Sequence, residues 1–347
     1  MHESPNSRQM VKGLLDGVPP DRPLFVPVVF SLGARIENLA LGAFLNNPTR
    51  ICSALRQTQG HLCADGLVCY SDLFLEAEAL GGTLQWDAQR SSASLKWPSS
   101  AIAGVLPRNL RSTQESSAGG RVPTACEVLR RMAALPHRDF SLAVTVSGPF
   151  SLAARLLQLD ESYERGVNDF SDDALELANS TITQIASSFL EAGAELILIQ
   201  EDILPHYSAE NCAAWAAALA PTINVVRFYQ AVPVLRIPKR ALSAESCELL
   251  LRQHWNCILC MPANVFDLEA SRAKPADSGT LLGISLPTEI FSAEATSGQT
   301  LRERLPSVVR EVRPVLVTTQ SDVPGTADMK TVMGVFRNIR SLLTESA

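Results

Sequence analysis

The chain has 347 residues, 46% of them hydrophobic and 19% charged, and its 30 basic and 36 acidic side chains leave a formal charge of −6. So much apolar surface excludes a disordered chain, and the missing basic excess argues against a nucleic-acid binder. No apolar run reaches the roughly 18–20 residues of a membrane helix. MHESPNSRQM lacks the charged-then-apolar layout of a secretion signal, so a cytoplasmic protein is expected. Eight scattered cysteines read as free thiols in that setting.

Short apolar runs alternate with helix-patterned stretches. LFVPVVF (24–30) reads as a strand, followed by GARIENLALGAFL and the helical TRICSALRQTQGHL. GLVCYS (66–71) and LAVTVSG (142–148) are further strands, the latter followed by the helix candidate DALELANSTITQIASSFLEAG. ELILIQ (195–200), the helical NCAAWAAALA and AVPVLRI (231–237) come next. SAESCELLLRQHW precedes CILCMPA and TLLGISL, and PVLVTTQ precedes a last helix, DMKTVMGVFRNIRSLL. Strands apolar on both faces and separated by helices imply a parallel sheet covered by helices. About eight such units predict an α/β fold, a single (β/α)8 TIM barrel spanning 1–347. A doubly wound sheet shares the periodicity, but no dinucleotide fingerprint or GxxxxGK[ST] loop follows any strand. The segment 86–125, rich in Ser, Gly, Arg and Pro, reads as a loop excursion.

In such a barrel the active site lies at the C-terminal ends of the strands. That rule selects Ser31, Gly33 and Arg35; Tyr70, Ser71 and Asp72; Ser147, Gly148 and Arg155; Gln200, Glu201, Asp202 and His206; Arg236; Cys260 and Asn264; and Gln320, Ser321 and Asp322. Asp72, Glu201 and Asp202 are the candidate catalytic residues, and Asp72 and Asp202 also fit as helix caps. Arg35, Tyr70, Arg155, His206, Arg236, Ser321 and Asp322 are candidate substrate-binding residues. Arg236 ends an apolar strand with no acidic neighbour in sequence, and a buried arginine needs a partner or a ligand anion. Lys239 and Arg240 read as a solvated turn. His254, Cys257 and Cys260 spell HxxCxxC, but a strand between the two cysteines would hold them at different heights, so no zinc site is assigned.

Several motifs, in order, resemble one superfamily. YSDLF (70–74) is similar to the Phe-Ser-Asp-Ile-Leu motif of uroporphyrinogen decarboxylase, and EAEALGG (76–82) to the related corrinoid-linked methyltransferases. SGPFSLAARLL (147–157), LEAGAELILIQED (190–202), LLGISLPTEIF (281–291) and PVLVTTQSDVPGTADMKTVMGVF (314–336) resemble later motifs of the same superfamily. The resemblance covers roughly 5–345 and implies the same single barrel. It also exposes departures. The zinc methyltransferases carry a His-x-Cys pair and a later Cys, which here fall on Arg236, Pro238 and Ser321, so zinc-activated thiol chemistry is not expected. Of the decarboxylase pattern, Asp72 is kept, while its tyrosine falls at Arg155 and its C-terminal His at Ser321.

The resemblance therefore implies, first, a methyltransferase moving a methyl group between a small methylated compound or carrier and a corrinoid (cobalamin), without the zinc. Glu201 or Asp202 would supply a proton in zinc's place. A corrinoid protein and a second copy of the chain are the candidate partners. A decarboxylase of a porphyrinogen or smaller carboxylate is the alternative. A non-catalytic binding barrel is the third reading, favoured if mutual salt bridges fill the mouth.

Overall fold

The computed structural model describes residues 6–16, 18–87, 92–97, 103–159, 166–237, 242–263, 280–291 and 296–345. Eight parallel strands form the main sheet: β1 (Leu24–Val26), β2 (Gly66–Val68), β5 (Ser141–Ser147), β6 (Leu196–Gln200), β7 (Val232–Arg236), β8 (Ile258–Pro262), β9 (Leu281–Leu286) and β10 (Leu316–Thr319). Their order is β1-β10-β9-β8-β7-β6-β5-β2. The first and last strands of that order meet where the Asp65 N–H donates to the Phe25 carbonyl at 2.9 Å, giving a nearly closed barrel. The remaining pair, β3 (Thr83–Asp87) and β4 (Ser92–Lys96), is an antiparallel hairpin outside the barrel.

Alternate residues of each strand face opposite ways, and both faces are apolar. Inward, Leu24, Val26, Val68, Ala143, Leu196, Leu198, Val232, Val234, Ile258, Cys260 and Leu316 pack as one cluster. The first helix, Ser7–Leu15, plugs the N-terminal end of that cluster with Met10, Val11 and Leu14. Outward, Phe25, Leu67, Val144, Ile197, Leu235 and Leu259 join the layer between sheet and helices. The helix Asp172–Glu191 begins where the Ser171 hydroxyl accepts from the Ala174 N–H, with Asp172 and Asp173 favourably placed in its first turn.

Three elements differ from the sequence expectation. β1 stops at Val26 because Pro27 has no N–H for a ladder, and the Val28 N–H donates instead to Thr319 Oγ1 at 3.1 Å. β2 stops at Val68, although the Cys69 N–H still reaches the Ala143 carbonyl. The helix read from NCAAWAAALA runs Ala209–Phe228, straight through Pro221. In the excursion, the described parts are tied to the barrel. Trp97 Nε1 donates to the Arg155 carbonyl at 3.0 Å, and the Arg111 N–H donates to the Leu80 carbonyl.

Candidate functional site: an arginine-centred barrel mouth

The inward row at the C-terminal end of the barrel is polar. Register pairs Ser147 with Gln200, Gln200 with Arg236, and Arg236 with Cys260. Arg236 is 2% exposed. Its guanidinium donates from Nη1 to the Thr319 carbonyl at 3.1 Å, while Nε is buried without a partner. Among the described residues no carboxylate ion-pairs with it. Burial pulls its pKa down to about 10, with Asp202 and Asp322 pulling the other way, so it stays protonated at neutral pH. Gly283 makes room for the row: a Cβ there would lie 2.5 Å from Cys260 Sγ.

Among the described residues, five further buried atoms of this end have no hydrogen-bond partner: Arg155 Nε, Gln200 Oε1, Ser285 Oγ, Gln320 Oε1 and Asp322 Oδ1. Gln200 is oriented by its other end, since Nε2 donates to Asp202 Oδ1 at 2.8 Å. A carboxylate can only accept from that amide, so the carbonyl oxygen is the unpartnered end. Asp322 is anchored through Oδ2, which accepts from the Ser31 N–H at 2.9 Å and the Ser31 hydroxyl at 2.5 Å. Burial raises its pKa to about 6, against the Ser31 bonds and the Arg236 charge, which lower it.

Beside this row lies a paired network. Arg155 Nη2 meets Asp202 Oδ2 at 2.9 Å, and Arg155 Nη1 donates to Ser147 Oγ at 3.1 Å. Ser147 in turn donates its N–H and hydroxyl to Glu76 at 2.9 and 2.8 Å. Glu76 is fully buried, and burial pushes its pKa up.

The structure corrects several sequence expectations. Glu201 turns away from the mouth into the N-terminus of the helix Pro149–Leu156. It accepts there from Phe150 N, Ser151 N, Ser151 Oγ and Trp215 Nε1 at 2.6–3.2 Å. A Cβ at Gly148 would sit 2.1 Å from its carboxyl carbon, so only glycine allows this seat. Burial raises the Glu201 pKa to about 7, but both its oxygens already accept from the helix terminus and Trp215. Asp72 is ion-paired with Arg121, whose Nε also donates to Glu78 at 2.7 Å. Tyr70 is buried on the helix side, donating to the Leu45 carbonyl at 2.8 Å and packing on Phe30. Arg35 lies on the surface, donating to the Ala327 carbonyl at 2.6 Å beside a cleft of about 490 Å³. His206 and Ser321 are exposed on their loops.

Arg155, Asp202, Arg236 and Asp322 are therefore the predicted residues gathered at the mouth. Gln200 and Gln320 stood on the strand-end list but were not among the chosen site residues, and Ser285, Glu76 and Arg121 were missed. Strand alternation carries a signal for the first three, because Gln200, Ser285 and Gln320 share the inward parity of Leu198, Gly283 and Thr318. Glu76 and Arg121 had no such signal, since they pair across 71 and 43 residues with Ser147 and Glu78. Lys239, Arg240 and Asn264 lie outside the described residues.

The donor set does not suit zinc. Arg236 is a fixed cation, and no three His, Cys, Asp or Glu among the described residues could hold a metal. Cys257 packs in the outer layer and Cys260 in the barrel interior, so HxxCxxC does not converge. No described helix is long and apolar enough to cross a membrane.

Fold and mouth together define an α/β barrel whose C-terminal end buries a row of polar side chains. The uroporphyrinogen decarboxylase (URO-D) family model matches residues 7–223, and the chain belongs to that family. A methyltransferase from Methanosarcina mazei superposes with a TM-score of 0.72 at 13% identity, over 97% of this chain and 99% of that one. A putative vitamin-B12 independent methionine synthase from Listeria monocytogenes superposes with a TM-score of 0.51 at 13% identity, over 93% and 96%. At these identities the likeness is one of fold. No curated protein matches the chain.

Proposed function

We propose that the chain is a methyltransferase-like enzyme that moves a methyl group between a small methylated compound bearing an anionic group and a corrinoid acceptor. The supporting observation is the buried Arg236, held by one carbonyl, unpaired by any described carboxylate, and ringed by unpartnered polar atoms. A charge so placed is costly unless an anion completes it. Arg236 binds the anionic group, and Asp322, whose pKa of about 6 leaves it mostly ionised at neutral pH, lies toward the leaving heteroatom as a carboxylate. When the methyl–heteroatom bond breaks, its electron pair stays on the heteroatom, and a proton already on that atom compensates the charge. A reduced corrinoid, as the acceptor, would supply the electron pair for the methyl carbon. The apolar packing of the barrel interior leaves no room for a macrocycle, so the acceptor approaches from outside, as a carrier docked on the mouth.

This reading moves the working carboxylate from Glu201 and Asp202 to Asp322. Asp202 is engaged by Arg155 and Gln200, and Glu201 by the helix terminus. The decarboxylase reading has less support, because Asp72, the residue kept from that pattern, is engaged by Arg121. The test is methyl transfer to free cob(I)alamin from a panel of methylated carboxylates, followed by the cobalamin absorbance change. Turnover that disappears in Arg236→Met is expected. Porphyrinogen decarboxylation with no methyl transfer would overturn the proposal.

A further inference from the structure

The mouth carries two opposite charges that do not touch. Arg236 is held back by the Thr319 carbonyl, and Asp322 by Ser31 on the other side of β10. Each keeps one buried atom without a partner, Nε of the arginine and Oδ1 of the aspartate. The charges are close enough to influence one another, since Asp322 raises the arginine pKa and Arg236 lowers that of the aspartate. A buried cation and carboxylate left apart are more costly than the same pair in contact. Gln200 adds a fixed acceptor, because its Oε1 faces away from Asp202 and has no donor. Among the described residues the mouth thus sets Arg236, which no carboxylate pairs, against the unfilled acceptors Gln200 Oε1, Gln320 Oε1 and Asp322 Oδ1, the last of them anionic; Arg155 also leaves its Nε unfilled but is already ion-paired with Asp202.

We infer that the ligand of this mouth is a small zwitterion, an N-methylated ammonium carboxylate that keeps at least one N–H. Its carboxylate lies on Arg236, and its ammonium lies toward Asp322 with the N–H on Gln200. A simple carboxylate would leave these acceptors unfilled, and a simple amine would leave Arg236 unpaired. A quaternary ammonium has no N–H for Gln200. The inference rests on the methyl-transfer reading for the methyl group, but the charge pattern stands without it. In the transfer, the C–N bond breaks with its electron pair remaining on nitrogen, and the acceptor provides the pair for the methyl carbon. The amine leaves neutral because its N–H is retained, so no further proton is consumed.

The experiment is calorimetric titration of the full chain with N,N-dimethylglycine, glycine betaine, acetate and dimethylammonium, with thermal melts in parallel. N,N-dimethylglycine is expected to bind at least about tenfold more tightly than each of the other three, since each lacks one charge or the N–H. Asp322→Asn is expected to remove most of that preference over acetate, and Gln200→Leu the preference over glycine betaine. Acetate binding as tightly as N,N-dimethylglycine would overturn the inference, as would no binding by any of the four. Dimethylglycine binding without methyl transfer to cob(I)alamin would uphold the ligand class and sink the methyl-transfer reading. Turnover confined to donors lacking an ammonium group would do the reverse.

Discussion

At the N-terminal end of the barrel Asp65 accepts four hydrogen bonds, from Ser7, the Phe25 N–H and both terminal nitrogens of Arg22, at 2.5–2.8 Å. Glu195, at the same end, is clamped by Arg8, Arg138 and the Leu142 N–H. At the C-terminal end, among the described residues, Arg236 donates to one carbonyl and Asp322 Oδ1 has no donor. Both ends bury charge, but at the first the carboxylates Asp65 and Glu195 are each engaged by several donors, although Arg138 Nε is left without a partner. These ion clusters hold the plug helix and the closing seam, and that is a stability function. Unsatisfied groups at the strand C-termini are what a ligand would complete.

The largest effect expected from this contrast is at the seam. Asp65→Ala leaves Arg22 and the Phe25 N–H without their acceptor, and a loss of about 3 kcal/mol is expected in urea unfolding. Burial opposes the Asp65 charge, but its hydrogen bonds outweigh it and hold the pKa below the usual carboxylate range. Its contribution is therefore present above the unfolded pKa of about 4 and is lost as pH falls through the lower folded value. A wild-type chain that keeps full stability at pH 3 would break the comparison.

Glu201 sharpens it, because this residue lies at the C-terminal end yet behaves like the other end. Glu201→Gln keeps the size but brings an amide into a ring of donors, and about 2 kcal/mol of stability is expected to go. The deficit should shrink below pH 7, where Glu201 itself carries its proton. A collapse in turnover at unchanged stability would instead restore Glu201 to a proton-transfer role.

Arg236→Met should move stability the opposite way. The side chain is a buried charge that no described carboxylate pairs, so removing that charge is expected to be neutral or to stabilise by about 1 kcal/mol. Anion binding should fall on the order of 100-fold. A loss of stability as large as that of Asp65→Ala would make Arg236 a structural group and leave the mouth without a ligand site.

The pattern of legibility follows the same physics. LILI and VPVL are apolar at both parities, which only a covered parallel sheet requires, so the barrel was readable. Arg236 was readable too, as a charge at the end of such a run. Glu201 was misread because one residue of parity separates the mouth from the helix layer, and Gln200 took the inward place. Asp72 was misread because its partner, Arg121, comes from the excursion, where sequence distance hides the contact. Pro27 and Pro221 show the limit of local rules: one ended its strand, while the other was carried inside a helix by tertiary packing.

The smallest effect expected is a change of slope at Asp322. Its folded pKa of about 6 lies above that of a free aspartate, so the native state binds more protons than the unfolded state between about pH 4 and 6. Stability from this group is therefore greatest at low pH and falls as pH rises through that window, the reverse of Asp65. Asp322→Asn should flatten that limb of the curve and leave the acid limb set by Asp65 in place. Ser31 and Arg236 are the groups that act on Asp322 most directly, and neither titrates between pH 4 and 6. Unfolding curves of both variants from pH 3 to 8 would separate the two ends: a slope unchanged by Asp322→Asn would mean that the carboxylate is solvated, and the dipolar mouth would lose its anionic half.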